Sequence, residues 1–273
     1  MSKIVLITGA SSGIGRATAL ELLRAGHTVY GGARRVESLD PVSDAGGHPL
    51  AMDVTKDADL ERAVRTVLDQ QGRIDVLVNN AGFGLYGAAE DVPLSQARYQ
   101  LEVNLFGPAR LTQLVLPHLR RQRSGTIVNV SSLGGEITFP LAAWYHASKH
   151  ALEASSDALR QEVKRFGIDV VLIQPGLIRT EFGDVTANGV RELSGHGPYR
   201  DLAEGLAEST ETLYREHSKA SDPSVVAATI RKAIETASPR PRYPVGYMAR
   251  PLLALNRILP ARLFDRVATS QIA

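Results

Sequence analysis

The N-terminal segment constrains the fold of this 273-residue chain more than any other part. Residues 3–7 are mostly aliphatic or β-branched, as in a buried strand, and residues 16–23 have the composition of a helix. Gly9, Gly13 and Gly15 lie between them. Gly9 permits a tight turn, Gly13 lets a pyrophosphate approach the backbone, and Gly15 lets the helix pack closely on the strand. Because a helix N-terminus adds free N–H groups, the segment predicts a dinucleotide site, with an ordinary tight loop as the alternative.

Strand-like and helix-like segments alternate along the rest of the chain. Further strands are predicted at residues 28–33, 49–52 and 168–174. The helix before the fourth strand has apolar residues at one-face spacing, namely Leu60, Ala63, Val64, Val67 and Leu68. This alternation predicts an α/β fold with a doubly wound, mainly parallel sheet and helices on both faces. We expect a single domain, in which residues 1–185 form the core and residues 186–273 a substrate flap and C-terminal extension.

Tyr145 and Lys149 lie four residues apart in a segment predicted to be helical, residues 143–166. This spacing places both side chains on one helix face. Tyrosine has a pKa of ~10 in water, and a neighbouring ammonium group favours the phenolate and lowers that pKa. The pair is therefore a candidate acid–base group, while a helix face without chemistry has the same spacing.

Together, the glycine turn and this pair resemble the short-chain dehydrogenase/reductase family. Three further motifs follow in the order of that family: an Asn-Asn-Ala-Gly run at residues 79–82, Ser132 after a predicted strand and 13 residues before Tyr145, and a Pro-Gly segment at residues 174–180. Asn104 matches the fourth member of the family's catalytic tetrad. The resemblance covers about residues 3–185 and implies a Rossmann-type fold.

The resemblance assigns catalytic roles to Asn104, Ser132, Tyr145 and Lys149. Tyr145 would exchange a proton with a carbonyl or alcohol oxygen, and Ser132 would hydrogen-bond the same oxygen. Lys149 would hold the nicotinamide-ribose hydroxyls and lower the pKa of Tyr145. Asn104 would support a water that links Lys149 to solvent, or would serve a structural role in a bent helix. His146, on another side of the helix, is expected to have no chemical role.

The resemblance also implies a nicotinamide cofactor. Its expected contacts are Gly9, Ser11, Ser12, Gly13, Ile14, Gly15, Arg34, Asp53, Val54, Asn80, Ala81, Gly82, Tyr145, Lys149, Pro175, Gly176, Ile178 and Thr180. Ala33 stands where an acidic residue would accept hydrogen bonds from a free ribose 2′-OH, and Arg34 follows it. A guanidinium there can hold a 2′-phosphate, so NADP(H) is the expected cofactor. Alternatively, Arg34 is a solvated surface charge, and Asp53 caps the next turn instead of contacting adenine.

Composition is typical of a globular protein, with 44% hydrophobic and 22% charged residues. The net charge of +2 is too small to argue for nucleic acid, and the absence of cysteine excludes disulfides and Cys-ligated zinc. We expect no metal. No targeting segment precedes the first strand, and no apolar run is long enough for a transmembrane helix, so the cytoplasm is the expected location. The resemblance implies a homodimer or homotetramer built on the helix that carries Tyr145.

The substrate is indicated only by the aromatic residues near the motif loops. These are Phe83, Tyr86, Phe139, Trp144 and Phe182, and they favour an apolar or aromatic carbonyl compound. Residues 180–219 are expected to form the substrate flap, with an amphipathic helix at about 199–214 that either roofs the pocket or packs on the core. The length and pattern of the chain are most similar to the hydroxysteroid- or retinol-dehydrogenase-like branch.

The C-terminal stretch, residues 248–267, combines apolar residues with four arginines. Such a basic amphipathic segment can lie on an anionic membrane. Because Pro260 interrupts it, we expect it instead to fold back over the pocket or a dimer interface. Three other functions stay open: a catalytically silent NADP-binding redox sensor, a ketoacyl or sugar reductase of the same family, and a nucleotide-sugar epimerase or dehydratase on a related fold.

Overall fold

One seven-stranded sheet forms the centre of the molecule. The computed structural model describes residues 2–214 and 219–269. The strands are β1 (Ile4–Thr8), β2 (Thr28–Ala33), β3 (His48–Ala51), β4 (Val76–Asn79), β5 (Gly125–Val130), β6 (Ile168–Pro175) and β7 (Arg242–Val245). Their order is β3-β2-β1-β4-β5-β6-β7, and every neighbouring pair is parallel. The predicted single-domain, doubly wound α/β fold is confirmed.

Helices connect the strands and follow them. They are α1 (Gly13–Arg24), α2 (Asp40–Asp44), α3 (Asp57–Gln71), α4 (Leu94–Leu101), α5 (Gly107–Gln122), α6 (Ala143–Val163), α7 (Phe182–Ser194), α8 (Arg200–Tyr214), α9 (Pro223–Glu235), α10 (Ala249–Ile258) and α11 (Ala261–Thr269). A π-helical stretch, Glu102–Phe106, joins α4 to α5. A short 3₁₀ turn, Leu133–Gly135, follows β5.

Both faces of the sheet are covered, which explains why its central strands are apolar at consecutive positions. On one face, Leu22 of α1 and Ile230 of α9 lie in an apolar cluster with Ile7 of β1. On the other face, Val67 of α3 and Leu111 of α5 belong to a second cluster. The sheet lies between these two layers. Because all its strands are parallel, their carboxyl ends form one common edge, where polar loops can meet.

Several predicted boundaries shift by one or a few residues. The third strand, predicted at 49–52, is His48–Ala51, and the Met52 side chain that follows it packs against Gly32. The sixth strand continues to Pro175. The α-helix predicted to end at 166 ends at Val163 and continues as a 3₁₀ turn, Lys164–Phe166, before Gly167 takes a positive φ of 70°.

The C-terminal part contributes to the sheet as well as covering it. α9 and β7 belong to the central layers, whereas α7 and α8 pack on each other outside them through an apolar cluster that includes Val190 and Ala203. Arg191 of α7 pairs with Glu204 and Glu211 of α8. The predicted flap and extension include residues 215–218 and 270–273, which lie outside the described residues.

α10 and α11 fold back onto the loop that follows β5. Leu253, Phe264 and Ala268 are buried in one cluster with Leu133 and Ile137 of that loop. The C-terminal helices therefore support the segment next to Ser132. Within the part of the chain that the structure describes, no helix is long and apolar enough to cross a membrane.

Candidate active site

The glycine turn between β1 and α1 lies at the carboxyl edge of the sheet. Gly9 and Gly13 have φ angles of 67° and 50°, which L side chains rarely adopt. A Cβ on Gly15 would lie 2.0 Å from the Gly9 carbonyl oxygen, so only glycine allows this approach of helix and turn. Ser12 is the N-cap of α1, and its side chain makes no capping hydrogen bond. The first N–H groups of α1 therefore remain available for an anion.

The Asn-Asn-Ala-Gly run braces this turn from the neighbouring strand. Thr8 Oγ1 accepts hydrogen bonds from the N–H groups of Asn80 and Ala81, at 3.0 and 2.9 Å. Asn80 Nδ2 donates to the carbonyl oxygens of Thr8 and Gly9, at 3.0 and 3.1 Å. A Cβ on Gly82 would lie 3.6 Å from Lys149 Nζ. The run thus connects the glycine turn to the candidate catalytic lysine.

Tyr145 and Ser132 meet because the first turn of α6 lies over the end of β5. Tyr145 is buried, and burial raises the pKa of its phenol, while a hydrogen bond with Ser132 acts in the opposite direction. Ser132 Oγ also accepts a hydrogen bond from Gly134 N at 3.0 Å. The expected lowering of the Tyr145 pKa by Lys149 stays a prediction, and burial is the larger effect on the phenol in this structure.

Lys149 is buried one turn further along α6. Its Nζ donates a hydrogen bond of 2.9 Å to the carbonyl oxygen of Val130, at the end of β5. Burial lowers the pKa of this ammonium from 10.5 to about 8, and the nearby carboxyl of Glu153 partly offsets the shift. At neutral pH the site therefore holds a cation next to a protonated phenol.

Asn104 lies in the π-helical stretch and is buried. Its Nδ2 donates to Phe83 O at 2.9 Å and to Ser148 Oγ at 3.0 Å, and its Oδ1 accepts from Phe83 N at 3.1 Å. These bonds attach the loop after β4 to α6. The structural role that the sequence left open as an alternative is therefore present. The water-supporting role stays a prediction.

His146 fixes the loop that carries Ser132. Its Nε2 accepts a hydrogen bond from Phe139 N at 3.0 Å, so Nδ1 carries the proton and donates to Gly134 O at 2.9 Å. Burial lowers the pKa of this imidazole to about 4. His146 is thus a neutral structural group beside the site.

The residues expected to choose between cofactors lie at the ends of β2 and β3. Arg34 is exposed, and its Nη1 donates to Tyr99 Oη at 3.4 Å. Ala33 offers no carboxylate. Asp53 Oδ1 accepts hydrogen bonds from Thr55 N and Thr55 Oγ1, at 3.0 and 2.8 Å, so it caps the turn after β3. Val54 follows Asp53 in this turn, and its carbonyl oxygen lies beside Gly107.

The Pro-Gly segment approaches the glycine turn from β6. A Cβ on Gly13 would lie 3.2 Å from Thr180 Cγ2. Ile178 is buried under this segment and pairs with Ser221. The backbone at Gly176, directly after β6, lies tightly against the segment after β7. A Cβ on Gly176 would lie 2.1 Å from the carbonyl oxygen of Tyr247. The structure therefore brings Thr180, the glycine turn and the Asn-Asn-Ala-Gly run together.

Aromatic side chains lie close to the Tyr145 ring and form an aromatic wall made of Tyr86, Phe182 and Tyr214. The ring centroids of Tyr86 and Phe182 lie 5.6 and 5.7 Å from that of Tyr145. Tyr214 packs against Gly183, where a Cβ would lie 2.5 Å from its ring. Burial is the main cause that raises the pKa of Tyr86 and of Tyr214.

Of the three aromatic residues around Tyr145, Tyr214 is the one that the sequence did not indicate as part of the site. It lies at the end of α8, adjacent to the apolar stripe of that helix, and nothing in its local pattern distinguishes it from a helix-terminal residue. Gly183, which follows Phe182, was the one available signal, because a glycine beside an aromatic residue permits close stacking.

Comparison with known proteins agrees with this geometry. Residues 3–189 match the family model described as short chain dehydrogenase. The chain is 38% identical over 256 residues to 3-ketodihydrosphingosine reductase from Bacteroides thetaiotaomicron, covering 93% of this chain and 92% of that protein. It is 33% identical over 276 residues to NADPH-dependent 3-dehydrocapnine reductase from Ornithobacterium rhinotracheale, covering 97% and 95%. A short-chain dehydrogenase structure from Streptomyces avermitilis has a TM-score of 0.83 and 35% identity, covering 99% and 98%.

A parallel doubly wound sheet with this glycine turn and this tyrosine–lysine helix defines an α/β oxidoreductase. The chain belongs to the short chain dehydrogenase family.

Proposed function

We propose that this protein is an NADP(H)-dependent oxidoreductase that interconverts a carbonyl group and a primary or secondary alcohol, with Tyr145 as the acid or base. The observation that carries the proposal is the meeting of Tyr145, Ser132 and Lys149 beyond the carboxyl ends of the strands, next to the glycine turn. A positioned acid, a second hydroxyl and a cation are the groups that carbonyl reduction requires.

The residues present fit a dinucleotide with a 2′-phosphate. The uncapped N-terminus of α1 and the positive-φ glycines form a cradle for a pyrophosphate. Arg34 presents an exposed guanidinium at the end of β2, where a 2′-phosphate would be held, and no carboxylate at Ala33 opposes it. Thr180 and Ile178 would hold the nicotinamide end. When bound, NADPH supplies the hydride in reduction, and NADP accepts it in oxidation.

The protein's own groups would handle the proton. Because burial raises the pKa of Tyr145, the phenol stays protonated at neutral pH and can donate its proton to the carbonyl oxygen. Ser132 Oγ accepts from Gly134 N and shares a hydrogen bond with Tyr145; once a substrate lies between the two hydroxyls, the Ser132 O–H would donate to the carbonyl oxygen instead. The Lys149 ammonium would stabilise the phenolate left on Tyr145 and hold the ribose hydroxyls.

The substrate that fits the wall best is apolar near its carbonyl group. Tyr86, Phe182 and Tyr214 offer aromatic surface around Tyr145, which supports the predicted steroid-, retinoid- or aromatic-like compound. The names of two relatives, reductases of 3-ketodihydrosphingosine and of 3-dehydrocapnine, add ketones of those kinds to the substrates to be tried.

The test is consumption of NADPH and NADH with a panel of ketosteroids, retinal, aromatic aldehydes, long-chain 3-ketones, β-ketoacyl thioesters and ketoses. Tyr145→Phe should keep NADPH binding and lose ~10²–10⁴-fold in kcat, because it removes the positioned acid. Tyr243→Phe, a tyrosine of β7, is the matched control and should keep wild-type turnover.

Retention of more than about a tenth of kcat in Tyr145→Phe would contradict the role of the phenol. NADPH binding by the wild-type protein with no turnover of any carbonyl would favour the silent redox sensor instead.

We further propose that the protein acts in the cytoplasm as a homodimer or homotetramer. Ala147, Ala154 and Ala158 of α6 are exposed on one side of the helix, and Phe106, at the end of the π-helical stretch, is 53% exposed. Small side chains leave room for a helix of a second subunit to approach closely, and an exposed aromatic residue is typical of subunit interfaces. Light scattering after size-exclusion chromatography measures the mass, and Ala154→Arg should give monomers.

A further inference from the structure

The outward side of the C-terminal helix pair is both apolar and basic. On α10 it exposes Pro251, Ala254 and Ile258, and on α11 it exposes Leu263. Ile258 is 78% exposed and Leu263 44% exposed, on either side of the turn at Pro260. The exposed arginines of the same two helices are Arg250, Arg257, Arg262 and Arg266. These eight residues and Pro260 are called the C-terminal patch below.

The patch is not needed to hold the two helices in place. Their inward side is already buried through Leu253, Phe264 and Ala268, which pack with Leu133 and Ile137. Asn256 Nδ2 adds a hydrogen bond of 3.1 Å to Glu136 O. Burying a side chain as large as Ile258 would stabilise the protein, and this free energy is lost while the side chain stays in water. A group of exposed apolar residues marks an interaction site.

The charge of the patch restricts what can cover it. Residues 249–269 contain four arginines and one acidic residue, Asp265. Arg257 pairs with Glu136 at 3.0 Å, and its side chain is still 65% exposed. A second copy of the chain docked about a two-fold axis would bring this surplus of positive charge against itself. A negatively charged surface would instead be attracted at every arginine.

We propose that the C-terminal patch docks the protein on an anionic lipid surface. Ile258, Leu263 and Pro260 would enter the boundary between headgroups and acyl chains, and the arginines would contact the phosphate groups. Because the inward sides of α10 and α11 stay packed on the protein, the two helices would lie along the lipid surface and would not insert across it. This inference does not depend on the proposed reaction, since it concerns a face that takes no part in the chemistry.

Docking would also set the orientation of the active site. The patch lies on the outer side of the helices whose inner side supports Leu133, the residue after Ser132. The lipid surface is therefore separated from the Ser132 loop by one layer of helices.

The experiment is co-sedimentation of the full chain with phosphatidylglycerol vesicles, and with phosphatidylcholine vesicles, at low and high salt. The wild-type protein should bind the anionic vesicles, and salt should weaken binding. The double variant Arg262→Gln/Arg266→Gln should bind about 25-fold more weakly, at roughly five-fold for each arginine. The double variant Ile258→Glu/Leu263→Glu should lose at least about 10-fold, because an apolar contact is replaced by a charge of the wrong sign.

Val225→Glu is the matched control, since Val225 is an exposed apolar residue on α9, outside the patch. It should bind vesicles like the wild type. All variants change exposed side chains, so their thermal unfolding should match the wild type, which checks that folding is intact. No binding of wild-type protein to anionic vesicles, or equal binding by the patch variants, would overturn the proposal. A change of oligomeric mass in the patch variants would also overturn it and assign the face to a contact between subunits.

Discussion

At the scale of a single residue, Arg34 is the side chain expected to distinguish NADPH from NADH. Arg34→Ala should raise the KM for NADPH by about 10- to 150-fold, the value of one charged hydrogen bond at ~1.5–3 kcal/mol. The KM for NADH should change little, because NADH has no 2′-phosphate. Steady-state kinetics with both cofactors measure the two constants.

Arg35→Ala is the natural control, since Arg35 is the next residue and is also exposed. It should leave both constants near those of the wild type. If Arg34→Ala changed the KM for NADPH and the KM for NADH equally, Arg34 would not bind the phosphate and would be a solvated surface charge.

Gly15 is the residue at which the turn and the helix are closest. In Gly15→Ala the new methyl group would lie 2.0 Å from the Gly9 carbonyl oxygen and 2.4 Å from Asn80 Nδ2, so backbone must shift. We expect a loss of at least ~1–3 kcal/mol in the free energy of unfolding and weaker NADPH binding. Urea unfolding and NADPH titration measure the two effects.

Gly189→Ala in α7 provides the comparison, because a Cβ there meets nothing within 4 Å. An alanine in that helix should stabilise it by up to ~1 kcal/mol. If Gly15→Ala were equally harmless, the turn would have more freedom than its contacts indicate.

At the scale of an element, α6 depends on the neutral form of His146. The pKa of this imidazole is about 4 in the folded protein and 6.5 in its ordinary state. Between these values the unfolded chain binds a proton and the folded chain does not, so the free energy of unfolding falls as pH decreases from 6.5 to 4. From pH 7 to pH 5, His146 should account for a loss of about 2 kcal/mol.

Urea unfolding of the wild type and His146→Asn at pH 7 and pH 5 separates this contribution. The variant is less stable at pH 7, because it loses the hydrogen bonds to Gly134 and Phe139, but its stability should fall less on acidification. Parallel loss in both proteins would show that other groups control the acid sensitivity.

The elements were predictable where one local signal decides them. Apolar runs gave β2 at its correct ends, and the strand–turn–helix pattern gave α1, because both depend on neighbouring residues. A bent helix at Asn104 was expected only as an alternative, because the side-chain bonds of Asn104 in the π-helical stretch go to Phe83 and Ser148 of other elements, which the local sequence does not reveal. The wall formed by Tyr214 was missed for the same reason: its neighbours are distant in sequence.

At the scale of the whole molecule, a charged network joins the end of β7 to α6. Arg242 of β7 pairs with Glu153 at 3.0 Å and with Asp157 at 2.6 Å, and Gln174 Nε2 donates to Glu153 at 3.1 Å. Glu153 is almost completely buried. Arg242→Met would remove the cation that pairs directly with this carboxylate.

The expected loss for Arg242→Met is about 2–3 kcal/mol in the free energy of unfolding. It is below the ~3–5 kcal/mol of a fully buried pair, because the Arg242 side chain is 29% exposed. Chemical unfolding measures it, with exposed Arg240→Met as control. A loss no greater than that of Arg240→Met would show that water already compensates Glu153.

The position of β7 in the sheet also has a consequence for synthesis of the protein. Among the residues that the structure describes, β7 is the last strand in the chain, and its sheet neighbour is β6. During translation α6 leaves the ribosome well before Arg242. The ion pair between Glu153 and Arg242 therefore forms after most of the sheet can already assemble. A nascent chain that ends before Arg242 therefore lacks this ion pair on the helix that carries Tyr145 and Lys149, and it should be more open to proteolysis than a chain that includes β7.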